Sequence, residues 1–451
     1  MAEPSEDGLR PVLKLRDATL LVVSSIIGVG IFLTPQRVAA ALPHPWVFLG
    51  AWALGAALSL AGALANAELG AMFPRAGGDY VYLREAIHPA AGVVVGWLSF
   101  FAIYAGTIAT LAVGFADGLA VFVTLPKGAA PLVACALVVA CTLVNSAGVL
   151  AGAWVNNVVT AAKVLAMVVL VVACLASDKV DLHHFGRAAG SAPRLGLGLV
   201  GEALPSILFS YLGWNASVYV ASELAAPKRD LPRSLFGGLG VSALVYLLVT
   251  GSYVAVLGVG GVAGAERVAE ATAAAAFGIH ATAVAKLIGA LVLLSTLGTL
   301  NASVLIGPRI TYAMARDGLA PRSLGAPSPT TGAPTGSLVL QAAVACALVL
   351  ILRSFPSVLD YTTFAIVLAT IADTLALYVL RRRRPDAPRP YRAWGYPWVP
   401  AVYVAANVVI AASMLWQSPR ECAVSLLLVP LAAASYFVAA RLAESRRGAP
   451  R

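Results

Sequence analysis

The chain is a near-continuous series of apolar runs, each about as long as a helix must be to cross a lipid bilayer. Spans of about 20 residues are expected at roughly 18–40, 46–72, 90–123, 131–149, 153–176, 197–222, 234–258, 281–314, 336–353, 357–380, 396–416 and 422–441. In hydrocarbon a lone run satisfies its own N–H and C=O groups only as a helix. Composition agrees, because 60% of the 451 residues are hydrophobic and only 12% are charged, more apolar surface than a soluble fold hides. The expected fold class is an all-α polytopic membrane protein of twelve transmembrane helices. A segment over 1–17 is expected to precede a single membrane domain over 18–441, and a tail covers 442–451. Residues 1–17 are acidic and then mixed, without the charged, apolar and small-residue plan of a cleavable signal. The five cysteines are scattered and form neither a metal spacing nor a disulfide framework, so no metal is expected.

The net charge of +10 raises nucleic acid as a partner. Topology accounts for it better. With twelve spans both termini share one side, and most lysines and arginines fall there, including Arg381, Arg382, Arg383, Arg384, Arg389 and Arg392. That bias predicts cytoplasmic termini and a multi-pass protein of the plasma (inner) membrane. The basic run "RRRRPDAPRPYR" is expected to touch anionic lipid headgroups rather than nucleic acid.

Two spans carry weak points. "SSIIGVGIF" (24–32) puts Gly28 and Gly30 inside the first, and "FSYLGWNASVYVASE" (209–223) interrupts the sixth. Small residues that let helices pack closely would also explain Gly28 and Gly30. Two breaks in corresponding positions of two halves point instead to a transporter binding site. Five spans separate them, and an odd number inverts the second unit, so spans 1–5 and 6–10 are expected to form an inverted repeat with spans 11–12 appended. A broken helix exposes unpaired N–H groups that suit a carboxylate and C=O groups that suit an ammonium. An α-amino acid carries both.

On these residues the sequence resembles the amino acid–polyamine–organocation superfamily of transporters. The resemblance rests on "IIGVGIF", "AELGAMFPRAGGDYVYLREA", "LGWN" with "ELAAPKRDLPRS", and "STLGTLNASVLIGPRITYAMARDG", and it covers nearly the whole chain. "LFSYLGWNASVYVASE" and "TAAKVLAM" are most similar to the L-type amino acid transporter branch. The resemblance implies the LeuT fold, with a 5+5 inverted repeat and broken helices 1 and 6. It places the substrate carboxylate at Val29 and Gly30 beside Gly28, and the ammonium at the carbonyls of Ile26, Phe209 and Leu212. Asn215 is expected to brace the second break, and Phe209 to gate the site from outside or to be an ordinary core aromatic. Val29 stands where the family often has serine and Leu212 where it often has glycine. A narrow pocket follows, preferring small neutral amino acids such as alanine, serine or glycine.

Lys163 lies about ten residues, hence about 15 Å, into the fifth span, where a charge needs a polar partner. Snorkelling to an interface is the bland alternative, and the stem is short for that depth. The family has a lysine at the matching position. It implies that the ammonium replaces the sodium ion of coupled relatives, with Ser295 or Thr296 of span 8 nearby, so that transport is sodium-independent. Glu68 and Arg309 read as structural or gating charges. Asp117, Glu202 and Asp373 are unpaired in sequence and are candidate ion-pathway residues. His183 and His184 read as a solvated loop.

The function expected is a sodium-independent exchanger or facilitator of small neutral L-amino acids working by alternating access. The alternative is a proton-coupled importer of amino acids or an amine or polyamine. A membrane-embedded enzyme would need clustered catalytic residues or a Gly-x-Ser-x-Gly elbow, and neither is visible. A nutrient sensor on the same scaffold would bind without flux. No cofactor is expected. Eukaryotic L-type relatives often carry a cysteine between spans 3 and 4 for a disulfide to a single-span partner. "TLPKGAAP" has none, so no such subunit is expected.

Overall fold

A computed structural model describes residues 9–119, 122–190, 203–278, 281–352 and 355–447. Among them, nine helical stretches are long and apolar enough to cross a membrane. The first begins with α1 (Leu15–Ile26), whose start is held where the Lys14 N–H donates to Asp17 Oδ2 at 2.8 Å. It stops at Ile26 and resumes as α2 (Gly30–Leu33), then α3 (Pro35–Ala41). Next come α4 (Pro45–Met72) and the short α5 (Asp79–Ala86). The following stretch joins α6 (Pro89–Trp97) to α7 (Ala105–Leu119) through a π-helical turn, Leu98–Tyr104. Such turns often sit at functional sites, and nothing in the sequence pattern marks this one.

The predicted fourth and ninth spans are α8 (Ala130–Ser146) and, further on, the apolar helix Thr335–Leu352, both shorter than the nine long stretches. The predicted sixth span is interrupted. It consists of α10 (Leu204–Tyr211) and α11 (Ala216–Tyr219), and residues 197–202 of the expected run lie outside the described residues. The predicted seventh span is longer than expected, because α12 covers Pro227–Gly264 with a kink at Gly258.

The fifth span, α9 (Val149–Leu175), shows how the lipid environment selects a face. Its buried positions include Gly152, Asn156, Thr160, Lys163, Met167, Val171 and Cys174. Spacings of three and four put all of them on one side of a helix. The other side exposes Trp154, Leu165, Val169 and Val172, apolar groups that lipid rather than water would cover. The buried face of α9 packs on α1 and on α14 (Ala281–Ile306), while α12 packs along α1 and α4. These elements enclose the two helix breaks. α17 (Phe355–Arg383) completes the wall around them with Thr362, Ile366, Ala369 and Thr370, and further out run α13 (Val268–Phe277), α15 (Pro308–Arg316), α16 (Thr335–Leu352), α18 (Trp398–Gln417) and α19 (Pro419–Arg447).

The segment before α1 is tied to the chain that follows α11. Leu13 N–H donates to Glu223 O at 2.8 Å and Ala225 N–H donates to Leu13 O at 3.0 Å. The leading edge of the first span is thereby joined to the trailing edge of the sixth.

Candidate functional site

The two breaks touch. Gly30 begins α2 so close to α10 that a Cβ there would lie 2.8 Å from Ser210 Cα. Gly213 takes φ +96°, a left-handed conformation that suits glycine, and a Cβ on it would lie 2.7 Å from the Ser25 carbonyl oxygen. Thr34 and Ser210 hydroxyls are 2.9 Å apart. Tyr246 of α12 lies behind both breaks, its hydroxyl 2.8 Å from Ile26 O and 2.8 Å from Ser210 O. One phenol therefore links the carbonyl ends of both interrupted helices.

A cavity of about 100 Å³ opens between the breaks. Ile26, Gly28, Val29, Gly30, Phe209, Leu212 and Asn215 all line it. The structure thus brings together the seven residues expected around a substrate. As the opening residues of α2, Gly30 and its neighbours have N–H groups with no acceptor one turn earlier in the helix. The Ile26 carbonyl already receives the Gly28 N–H at 2.8 Å beside the Tyr246 hydroxyl. Phe209 O accepts Leu212 N–H at 3.1 Å. Asn215 Nδ2 donates to Tyr219 Oη at 3.3 Å, a bond within the second half of the sixth span. Ser25, Thr107, Thr299, Thr370 and Asp79 also line the wall. The volume is far below the roughly 300–1,000 Å³ of pockets for drug-sized ligands.

Lys163 is fully buried. Its ammonium donates to Ile27 O at 2.5 Å and to Ser24 O at 3.0 Å, the carbonyls that the break removes from the helical ladder. Two α14 hydroxyls converge on the same atoms. Ser295 Oγ donates to Ile27 O at 3.0 Å, and Thr299 Oγ1 lies 2.8 Å from Ser24 O. Thr296 faces elsewhere, donating to Val292 O of its own helix at 2.8 Å. Thr299, one turn beyond Ser295, fills the place expected for Thr296. Gly298 lets the lysine pass, since a Cβ there would lie 3.3 Å from Nζ. Together a cation and two hydroxyls hold the last turn of α1 against α9 and α14.

Charged pairs close the end of the bundle that holds the N-terminal segment. Arg309 and Glu223 are both buried and meet through Nε–Oε1 at 2.9 Å and Nη2–Oε2 at 3.2 Å. Glu68 accepts from Arg381 at 2.5 Å, from Arg389 at 3.1 Å and from the Ala393 N–H at 2.7 Å. The basic run is thus partly folded back onto a buried carboxylate. Nearby, Arg84 binds Asp317 and lies 2.9 Å from Glu85, which also accepts from Arg384 at 3.1 Å. Burial opposes ionisation of Glu85, and hydrogen bonds from Arg84 and Arg384 outweigh it, leaving its pKa below the ordinary glutamate value.

The other candidates fall in separate places. Asp117 lines a second cavity of about 350 Å³ with Arg267 and Glu270. Glu202 lies outside the described residues. Asp373 is buried in α17 near Asp79. His183 N–H and His184 N–H donate to Asp181 in a turn beside the Ala255 carbonyl. No group of three or more metal-binding side chains occurs among the described residues.

Residues 13–430 match the family model described as amino acid permease. The serine/threonine exchanger SteT of Bacillus subtilis is 28% identical over 426 residues, covering 94% of this chain and 95% of that protein. The large neutral amino acids transporter small subunit 2 of Homo sapiens is 27% identical, with 95% of this chain and 80% of the relative covered. The b(0,+)-type amino acid transporter 1 of Oryctolagus cuniculus is 28% identical, covering 86% of this chain and 80% of its own length.

Proposed function

The chain belongs to the amino acid permease family, within the amino acid–polyamine–organocation superfamily and its L-type branch, and we propose that it is a sodium-independent exchanger of small neutral L-amino acids. The carrying observation is the cavity of about 100 Å³ between two interrupted helices. On this reading the free N–H groups that open α2 take the substrate carboxylate, and the carbonyl ends of the breaks face its ammonium. Val29 and Leu212 narrow the space left for the side chain. Relatives named for serine/threonine and for large neutral amino acids bracket the substrate class.

Sodium independence rests on Lys163. Its ammonium fills an oxygen-lined position between α1, α9 and α14 that would otherwise suit a hard cation. Twelve spans follow if the two shorter apolar helices and the interrupted sixth run also cross, with spans 1–5 and 6–10 as an inverted repeat. The arginine bias supports cytoplasmic termini and a plasma-membrane location. No disulfide-linked single-span subunit is required, since the 120–130 loop holds no cysteine.

The test is counterflow in proteoliposomes. Preloaded alanine or serine should accelerate uptake of the labelled amino acid, with no change when choline replaces Na⁺. Uptake that needs Na⁺ would overturn the sodium-independent reading, and uptake driven by an imposed pH gradient without exchange would favour the proton-coupled alternative.

A further inference from the structure

Beside the cavity, two aspartates from distant parts of the chain face each other in a wholly buried position. Asp79 opens α5 and Asp373 lies in α17; they are 1% and 0% exposed. The packing of α5 on α17 sets the two carboxyls side by side, each acting on the other. Their surroundings differ. Asp79 Oδ2 accepts from the Tyr219 hydroxyl at 2.5 Å and from Ser99 Oγ at 3.3 Å. Asp79 Oδ1 and both oxygens of Asp373 receive nothing. Asn66 of α4, fully buried, faces Asp373 with its own amide atoms unpartnered.

The titratable groups facing the pair are Tyr82 from α5, Tyr104 from the π-helical turn, Tyr219 from α11 and Tyr403 from α18. No basic side chain among the described residues joins them. Two carboxylates cannot both stay ionised in contact without a cation between them. A metal ion of the hard, oxygen-loving kind wants six or more oxygen ligands, whereas the tyrosine and serine here already donate to Asp79. A single proton answers the geometry. Placed on Asp373, which has no donor of its own, it is shared with Asp79, whose Oδ1 is likewise without a partner. The charge stays on Asp79, where two hydroxyls already hold it.

We propose that Asp79 and Asp373 form a proton-binding site in the wall of the amino acid pocket, one exchangeable proton from water being held between the two carboxyls. Asp79 and Tyr219 line the substrate cavity themselves, so the proton and the substrate share a wall. Loss of the proton sets two anions against each other across α5 and α17 and loosens the packing behind α11. Exchange activity therefore falls as pH rises through the point at which the pair releases its proton. This second step rests on the transport reading; the first does not.

Infrared difference spectroscopy on the purified protein tests the site directly. At neutral pH, where ordinary carboxyls are ionised, a protonated-carboxyl C=O band should be present in the wild type, disappear as pH is raised, and be missing from Asp373→Asn. A band unchanged in D373N overturns the proposal. In proteoliposomes, D373N should exchange amino acid at the low-pH wild-type level and lose the fall at high pH, because its amide imitates the protonated acid. A D373N profile that follows the wild type, or a wild type indifferent to pH, overturns the coupling. Asp79→Asn serves as the second variant for the spectrum: the band, which belongs to Asp373, should persist there but disappear at a lower pH than in the wild type, because the neighbouring anion is gone, and a band in D79N with the wild-type pH dependence overturns the pairing. The spectrum needs no flux, so a protein that transports nothing would sink the transport reading while the band still judges the site.

Discussion

Lys163 Nζ lies 2.5 Å from the carbonyl oxygen of Ile27, the residue at which α1 stops being a helix. The break and the buried lysine are therefore one device: the break frees a carbonyl and the lysine satisfies it. Neither is tolerable in hydrocarbon alone.

Replacing Lys163 with methionine keeps the volume and removes the charge. Ser295 and Thr299 still reach Ile27 and Ser24, so the fold should persist with a loss of about 1–3 kcal/mol, the usual cost of an unsatisfied buried polar group. Exchange should be lost, because α1 is no longer fixed to α9. Thermal unfolding and counterflow on the same preparation separate the two effects.

Gly30→Ala is a small change with a large expected effect. The added Cβ would sit 2.8 Å from the Cα of Ser210, a backbone atom that cannot swing away. The two breaks must then separate, and uptake should be abolished while the protein remains monodisperse. Gly30→Leu should do the same. Wild-type uptake by G30A would return "SSIIGVGIF" to the status of a packing motif.

Tyr246→Phe removes a single hydroxyl that links Ile26 and Ser210. A typical hydrogen bond contributes about 0.5–1.5 kcal/mol, so the apparent affinity should weaken by roughly threefold to tenfold with little change in expression. Saturation curves of counterflow give the ratio. Unaltered affinity would mean that the tyrosine only fills space.

Glu223→Gln leaves the Arg309 guanidinium buried without its counter-charge. Breaking a buried pair from one side costs about 3–5 kcal/mol. The variant should melt well below the wild type, and the double change Glu223→Gln with Arg309→Met should recover part of the loss. A double variant no better than E223Q would show that the arginine is held by its other contacts.

A competition panel reads the pocket. With a cavity of about 100 Å³, alanine, serine and glycine should compete most strongly, and tryptophan and tyrosine least. A preference for aromatic substrates would remove the case for Val29 and Leu212 as narrowing residues.

Membrane class, helical secondary structure and the two interruptions follow from the order of residues alone. They depend on local composition: long apolar runs must be helices in lipid, and glycines mark where a helix stops. Lys163 is legible in the same way, because a lysine at mid-bilayer depth stands out in one dimension. The partners around it belong to three dimensions. Ser295 and Thr299 share a helix face, being one turn apart, whereas Thr296 is turned about 100° from Ser295 and bonds its own helix. Tyr246 is one of many aromatics in an apolar run until α12 is laid across both breaks. Asp79 and Asp373 lie far apart along the chain, one near its beginning and one near its end, and no local pattern pairs them. Only the packing of α5 on α17 brings the two carboxyls together. Helix breaks are written in short windows of residues; the faces that meet across them are set by rotation and packing of whole helices.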